Sequence, residues 1–155
     1  MLWPALIIIV ADQISKWSVV RFLGEHESVT VTGFFNLVHV RNRGMAFGLM
    51  NRPDFEAGFY LLTVATLAAI VLLLVWFFKL KKEDARLAFG LSLILGGAVG
   101  NLIDRLRFGE VIDFLDFRLG SYHWPSFNVA DSAITVGTFW VAIILIFHQK
   151  KVPEV

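Results

Sequence analysis

Cysteine is absent from the 155 residues, and charged side chains make up only 17% of them. Without cysteine there is no disulfide scaffold, no thiolate metal cluster and no cysteine nucleophile. Soluble domains carry about 25% charged residues, so the charge here is too sparse to cover a soluble surface. The net charge of +1 offers no basic field for nucleic acid. Histidine occurs only at His26, His39, His123 and His148, scattered, with neither an HExxH pattern nor metal-ligand spacing. No serine sits in a GxSxG elbow. The one glycine-rich run, Gly96-Gly97-Ala98-Val99-Gly100, lies in an apolar stretch and lacks the lysine of a phosphate loop.

What the chain has is apolar mass. Hydrophobic residues make up 57% and aromatic residues 14%, far too much to leave unburied in a disordered chain. The length allows one domain. A membrane-spanning helix takes about 20 mostly apolar residues, and four stretches meet or approach that: 2–23, 55–78, 85–104 and 131–148. The expected fold is mainly α and integral to the membrane, a four-helix bundle. Its outer loops, 24–54 and 105–130, form a small β-sheet on the membrane surface. The sheet is read from β-branched and alternating runs at Val29–Thr32, Phe34–Val40 and Val111–Phe117. The first stretch resembles a secretory leader in position. It lacks a basic start and a small-residue cleavage site, and it carries Asp12 and Lys16 in its middle. Every lysine but Lys16 falls in the 79–86 link or the tail (Lys79, Lys81, Lys82, Lys150, Lys151). That link and both termini are therefore expected to face the cytoplasm.

Ionisable residues in spans are costly, so each is a candidate for function. Under this topology Asp104 and Asp131 lie at the same outer level, Asp113 is in the loop joining them, and Asp12 and Lys16 lie halfway along the first span. Each also has a purely structural reading. Asp12 and Lys16 stand at i, i+4 and suit an ion pair. Asn128 with Asp131 suits a helix cap with its third-position acid. Asp104-Arg105 suits a charge pair at a helix end, with Asn101 one turn earlier on the same face. Asp113 is harder to account for structurally, being flanked by Val111, Ile112, Phe114 and Leu115; Asp116 is read as facing water. Two close carboxyls cannot both ionise cheaply, so they share a proton. One then serves as base on a water while the other donates to the carbonyl, which needs no metal, cofactor or side-chain nucleophile. Topology alone pairs Asp104 with Asp131. The rival reading is a small membrane transporter or proton relay that uses intramembrane carboxylates.

Five motifs in order then carry a resemblance. They are Asp12-Gln13-Ile14-Ser15-Lys16, Asn42-Arg43-Gly44-Met45-Ala46-Phe47-Gly48, the block from Gly96 to Arg105, Gly109-Glu110-Val111-Ile112-Asp113-Phe114, and Phe127-Asn128-Val129-Ala130-Asp131-Ser132. Over nearly its whole length the chain resembles the bacterial lipoprotein signal peptidases (signal peptidase II), four-span aspartic peptidases of the inner membrane. The resemblance implies Asp113 and Asp131 as the catalytic pair, with Asp104 in support. Asn101, Asp104, Arg105 and Asn128 would shape the site and hold substrate. Asp12 and Lys16 would brace the first span, and Asn42 and Gly44 would belong to an outer loop covering the substrate. The implied substrate is a prolipoprotein whose cysteine carries diacylglycerol, cut just before that cysteine near the outer leaflet. Membrane lipid is the other implied partner, nucleic acid is not one, and the chain is expected to act as a monomer. Phe34, Phe35, Phe47, Tyr122 and Trp124 are candidate acyl-chain contacts. Met45 stands where the family commonly has a small residue.

Overall fold

The computed structural model describes residues 1–43, 56–80 and 84–148. Among the described residues, four helices and four strands follow one another: α1 (Trp3–Phe22), β1 (Ser28–Thr32), β2 (Phe35–Asn42), α2 (Glu56–Lys79), α3 (Ala85–Phe108), β3 (Val111–Leu119), β4 (Tyr122–His123) and α4 (Val129–His148). Local chemistry explains the boundaries. Pro4 sits in the first turn of α1, where its missing N–H has no helical acceptor to lose. α3 ends at Gly109, which adopts φ 76° and donates its N–H to Arg105 O at 2.9 Å, a left-handed stop that glycine takes without strain. α3 therefore runs through Phe108, one turn beyond the expected end of the third span, so the outer loop starts later than residue 105.

α2, α3 and α4 are each long and apolar enough to cross a bilayer. α2 leaves Tyr60, Leu61, Val64, Leu72, Val75 and Phe78 exposed, a surface that only an apolar solvent tolerates. α3 is the central helix: it packs against α1, α2 and α4 and is the most buried of the three. Two of its glycines make that approach possible. A Cβ on Gly97 would collide with the backbone oxygen of Ala130 in α4, and one on Gly100 would stand 2.7 Å from Asp12 Oδ2 in α1. Small residues admit such close crossings in membrane bundles.

The strands form one antiparallel run in the order β1-β2-β3-β4. β2 pairs with β3 in a register that sets Val40 opposite Asp113, Arg41 opposite Ile112 and Asn42 opposite Val111. β1 is exposed along its whole length, whereas β3 is buried from Val111 to Phe114. Ile112 and Phe114 pack with Val19 of α1, and Leu23, Leu37, Leu115 and Val129 close around them. Phe127 then bridges to Leu115, which delivers Asn128 and the start of α4 beside β3.

The Gly97 crossing gives a direct test. Gly97→Ala should lower the unfolding free energy in detergent by roughly 1–3 kcal/mol, as overpacking does. Gly33→Ala, where an added Cβ meets nothing within 4 Å, should leave the melting temperature unchanged.

Candidate active site

Lys16 is only 2% exposed, and a buried ammonium needs all three of its donors met. Its Nζ lies 2.8 Å from Asp12 Oδ2 and 2.8 Å from Asp104 Oδ2, and it donates to Asn101 Oδ1 at 3.0 Å. Both carboxylates have further donors. Asp12 Oδ1 accepts the Ala130 backbone N–H at 2.9 Å. Asp104 Oδ2 accepts that of Ile112 at 3.2 Å, and Gln13 Nε2 donates to Asp104 Oδ1 at 3.0 Å. One cation thus joins α1 to α3, and its two anions reach α4 and β3. The i, i+4 spacing of Asp12 and Lys16 anticipates the ion pair. The role of Gln13, which also reaches Gly100 O, has no local signal beyond its place in the motif.

A second network branches from Asn101. Its Nδ2 donates to Asp131 Oδ1 at 2.8 Å, while its Oδ1 accepts from Asn128 Nδ2 at 3.2 Å. Asn128 is fully buried and caps α4 reciprocally with Asp131: Asp131 N–H donates to Asn128 Oδ1 at 2.9 Å, and Asn128 N–H to Asp131 Oδ2 at 3.3 Å. The same Asn128 Nδ2 donates to Asp113 Oδ1 at 2.8 Å. Asn42 Nδ2 supplies Asp113 Oδ2 at 3.0 Å. The cap and the candidate pair are therefore one arrangement, and the structural reading of Asn128 does not compete with the functional one.

Asp113, Asp131, Asn42, Asn101 and Arg105 all line one cavity of about 530 Å³, walled further by Trp124, Phe127, Ile134 and Val136. The Asp113 carboxyl is pushed up to about 7, first by burial and then by the charge of Asp131, against the hydrogen bonds from Asn42 and Asn128. A carboxyl that is protonated near neutral pH beside another is what shared-proton chemistry requires.

Two expectations from sequence change. Asp104 does not pair with Asp131: it is committed to Lys16, Gln13 and the Ile112 amide, and Arg105 lines the cavity in place of a helix-end pair with it. Asp116 does not face water. It is 5% exposed, accepts from Asn36 Nδ2 at 2.7 Å and lies 3.0 Å from His123 Nδ1, because the register sets it opposite Asn36 on β2. Gly44, Met45 and Phe47 lie outside the described residues. Among the described residues no group of three or more His, Asp or Glu side chains is placed to hold a metal ion.

Comparisons with known proteins agree with this architecture. A family described as Signal peptidase (SPase) II matches residues 4–147. A lipoprotein signal peptidase of Desulforapulum autotrophicum is 50% identical, over 96% of this chain and 91% of its own length. One from Oleidesulfovibrio alaskensis is 47% identical, over 94% of this chain and 93% of its own. Among solved structures, a bacterial membrane enzyme determined by the in meso method superposes with a TM-score of 0.85 at 30% identity, covering 99% of this chain and 92% of its own. With its three apolar helices, the chain is an integral membrane protein.

Two outcomes follow from the geometry. Lys16→Met would leave Asp12 and Asp104 buried without their cation, a loss of about 3–5 kcal/mol; thermal unfolding in micelles should show a collapse of the folded yield or a large drop in melting temperature. Asp113 binds its proton more tightly folded, near 7, than unfolded, near 3.8. Its contribution to stability is therefore full below about pH 4 and is lost as pH rises toward 7. Asp113→Asn removes that loss, so its melting temperature should exceed wild type at about pH 8 and match it near pH 4.

Proposed function

The chain belongs to the signal peptidase II family, a family of proteases, and we propose that Asp113 and Asp131 are its catalytic pair. It removes signal peptides from prolipoproteins. The observation that carries the pair is the single cavity that both carboxyls line, with Asn128 bonded to each. Family membership replaces the transport reading, which would also spread carboxylates through the membrane depth.

The full topology is four spans. α1 has 20 residues, about 30 Å of helix and enough for a hydrocarbon core. It turns Leu6, Ile7, Val10, Ile14 and Trp17 outward while burying Asp12 and Lys16. That is the surface of a span whose polar side faces a bundle. With α1 counted, both termini and the lysine-rich link lie on the cytoplasmic side of the bacterial inner membrane. Asp113 and Asp131 then lie toward the outer leaflet. A substrate held in the bilayer by a diacylglyceryl cysteine presents its scissile bond at that level, just before the cysteine. The apolar cavity walls suit its lipid and peptide.

At neutral pH the pair holds one proton. The ionised carboxylate takes a proton from water as the water oxygen bonds to the scissile carbonyl carbon. The protonated carboxyl passes its proton to the carbonyl oxygen. The resulting gem-diol then collapses: the C–N bond breaks, the proton taken from water passes from the pair to the leaving nitrogen, and one hydroxyl returns its proton to the other carboxylate, which restores the singly protonated pair. Asn42, Asn101 and Asn128 hold both carboxyls in place throughout, so little reorganisation accompanies the charge movement.

Purified Asp113→Asn and Asp131→Asn, each offered diacylglyceryl-modified prolipoprotein, should lose cleavage by at least about 100-fold while remaining folded. Near-normal cleavage by either would refute the assignment. The wild-type rate should fall as pH rises through about 7, where the second proton leaves the pair.

A further inference from the structure

Asn42 is the last residue of β2, paired with Val111 at the final step of the ladder. Strand ends fray, yet the Asn42 side chain must stay on Asp113, to which its Nδ2 donates at 3.0 Å. Its two neighbours in sequence supply a restraint. Arg41 Nη1 donates to Glu110 Oε1 at 2.9 Å, and Arg43 Nε donates to Glu110 Oε2 at 3.0 Å. Each oxygen of one carboxylate therefore holds one arginine, and the two arginines flank Asn42.

Glu110 is built for that grip. It sits between the Gly109 stop of α3 and the first residue of β3, and it is 8% exposed. Burial alone would push its carboxyl up, but Arg41 and Arg43 outweigh burial and hold it below the usual range. It stays ionised, and charge-assisted bonds to a mostly buried carboxylate are the strong, weakly screened kind. Glu110 itself does not line the catalytic cavity, whereas Asn42 does. Glu25 also lies 3.4 Å from Arg41 Nε.

We propose that Glu110 is a positioning residue for the cleavage reaction: by gripping Arg41 and Arg43 on both sides of Asn42, it sets the Asn42 amide on Asp113 and so sets the proton balance of the pair. The role rests on the reading of Asp113 as catalytic. When the grip is lost, Asp113 loses a donor that favours its ionised form and keeps its proton to higher pH. The other charges acting on Asp113, from Asp131 on α4 and Lys16 on α1, together with Arg105 of α3 in the same cavity, are untouched. A direct field effect of the missing Glu110 charge would act the opposite way, since removing a nearby anion eases ionisation.

The test measures kcat and KM against pH for full-length, detergent-purified enzyme acting on diacylglyceryl-modified prolipoprotein. Glu110→Gln should lower kcat at neutral pH roughly tenfold, with KM within about twofold. Its alkaline limb should move up by about half a pH unit or more. Asn42→Ala should do the same, and the double variant should be no worse than Asn42→Ala alone, because both changes break one linkage. Arg43→Ala, at a half-exposed site, should shift the limb in the same direction by less, and decides the matter if Glu110→Gln does not fold. An unchanged profile, a limb that moves down, or additive effects would overturn the proposal. Asp113→Asn, run alongside, separates the two readings. If it cleaves, the pair assignment fails. If it is inactive while Glu110→Gln behaves as wild type, only the positioning role fails.

Discussion

The Lys16 ammonium meets Asp12, Asp104 and Asn101 inside an apolar bundle, and the geometry of the site depends on it. Placing one cation and two anions away from water is costly unless every donor and acceptor is met. Here each anion also accepts from the backbone of a different element, Asp12 from Ala130 in α4 and Asp104 from Ile112 in β3. Few arrangements of α1, α3, α4 and the sheet satisfy all of these at once. The network therefore acts less as a source of net stability than as a constraint on how the elements can be assembled. Gly97 and Gly100 are the steric counterpart, since the helices must come close enough for the bonds to form.

The same constraint reaches the Asp113 and Asp131 carboxyls through two amides. Asn101 takes a bond from Lys16 on one side and gives one to Asp131 on the other. Asn128 caps α4 and touches both Asp131 and Asp113. Neutral amides suit this position. They orient the carboxyls without adding a charge that would hold both ionised, and burial then keeps the Asp113 proton in place up to about 7. The chain carries few charges, and Arg105, Asp113 and Asp131 gather at one cavity.

Much of this was legible in the sequence, for physical reasons. Apolar runs of bilayer length announce helices, and β-branched alternation announces strands. The i, i+4 spacing of Asp12 and Lys16 and the Asn128–Asp131 cap are local patterns with local geometry. The proposed pairing of Asp113 with Asp131, by contrast, rests on resemblance; topology alone favours Asp104, because it cannot show that Lys16 already claims that carboxylate. Asp116 was misread for a related reason. Its partners Asn36 and His123 come from β2 and β4, and only the strand register brings them to it. The link from Glu110 to Asn42 likewise spans two strands distant in sequence. Interactions within one element could be read in advance, and those that depend on register or on helix crossing could not.

In the proposed mechanism Asp113 and Asp131 share one proton near neutral pH. The most direct measurement is an infrared titration of the protonated-carboxyl stretch in the resting enzyme. A band present in mildly acidic buffer should vanish as pH rises through about 7, be absent over that range in Asp113→Asn, and be altered in Asp131→Asn. If wild type shows no carboxyl titrating between about pH 5 and pH 9, or if neither substitution changes the band, the two aspartates do not form the pair described.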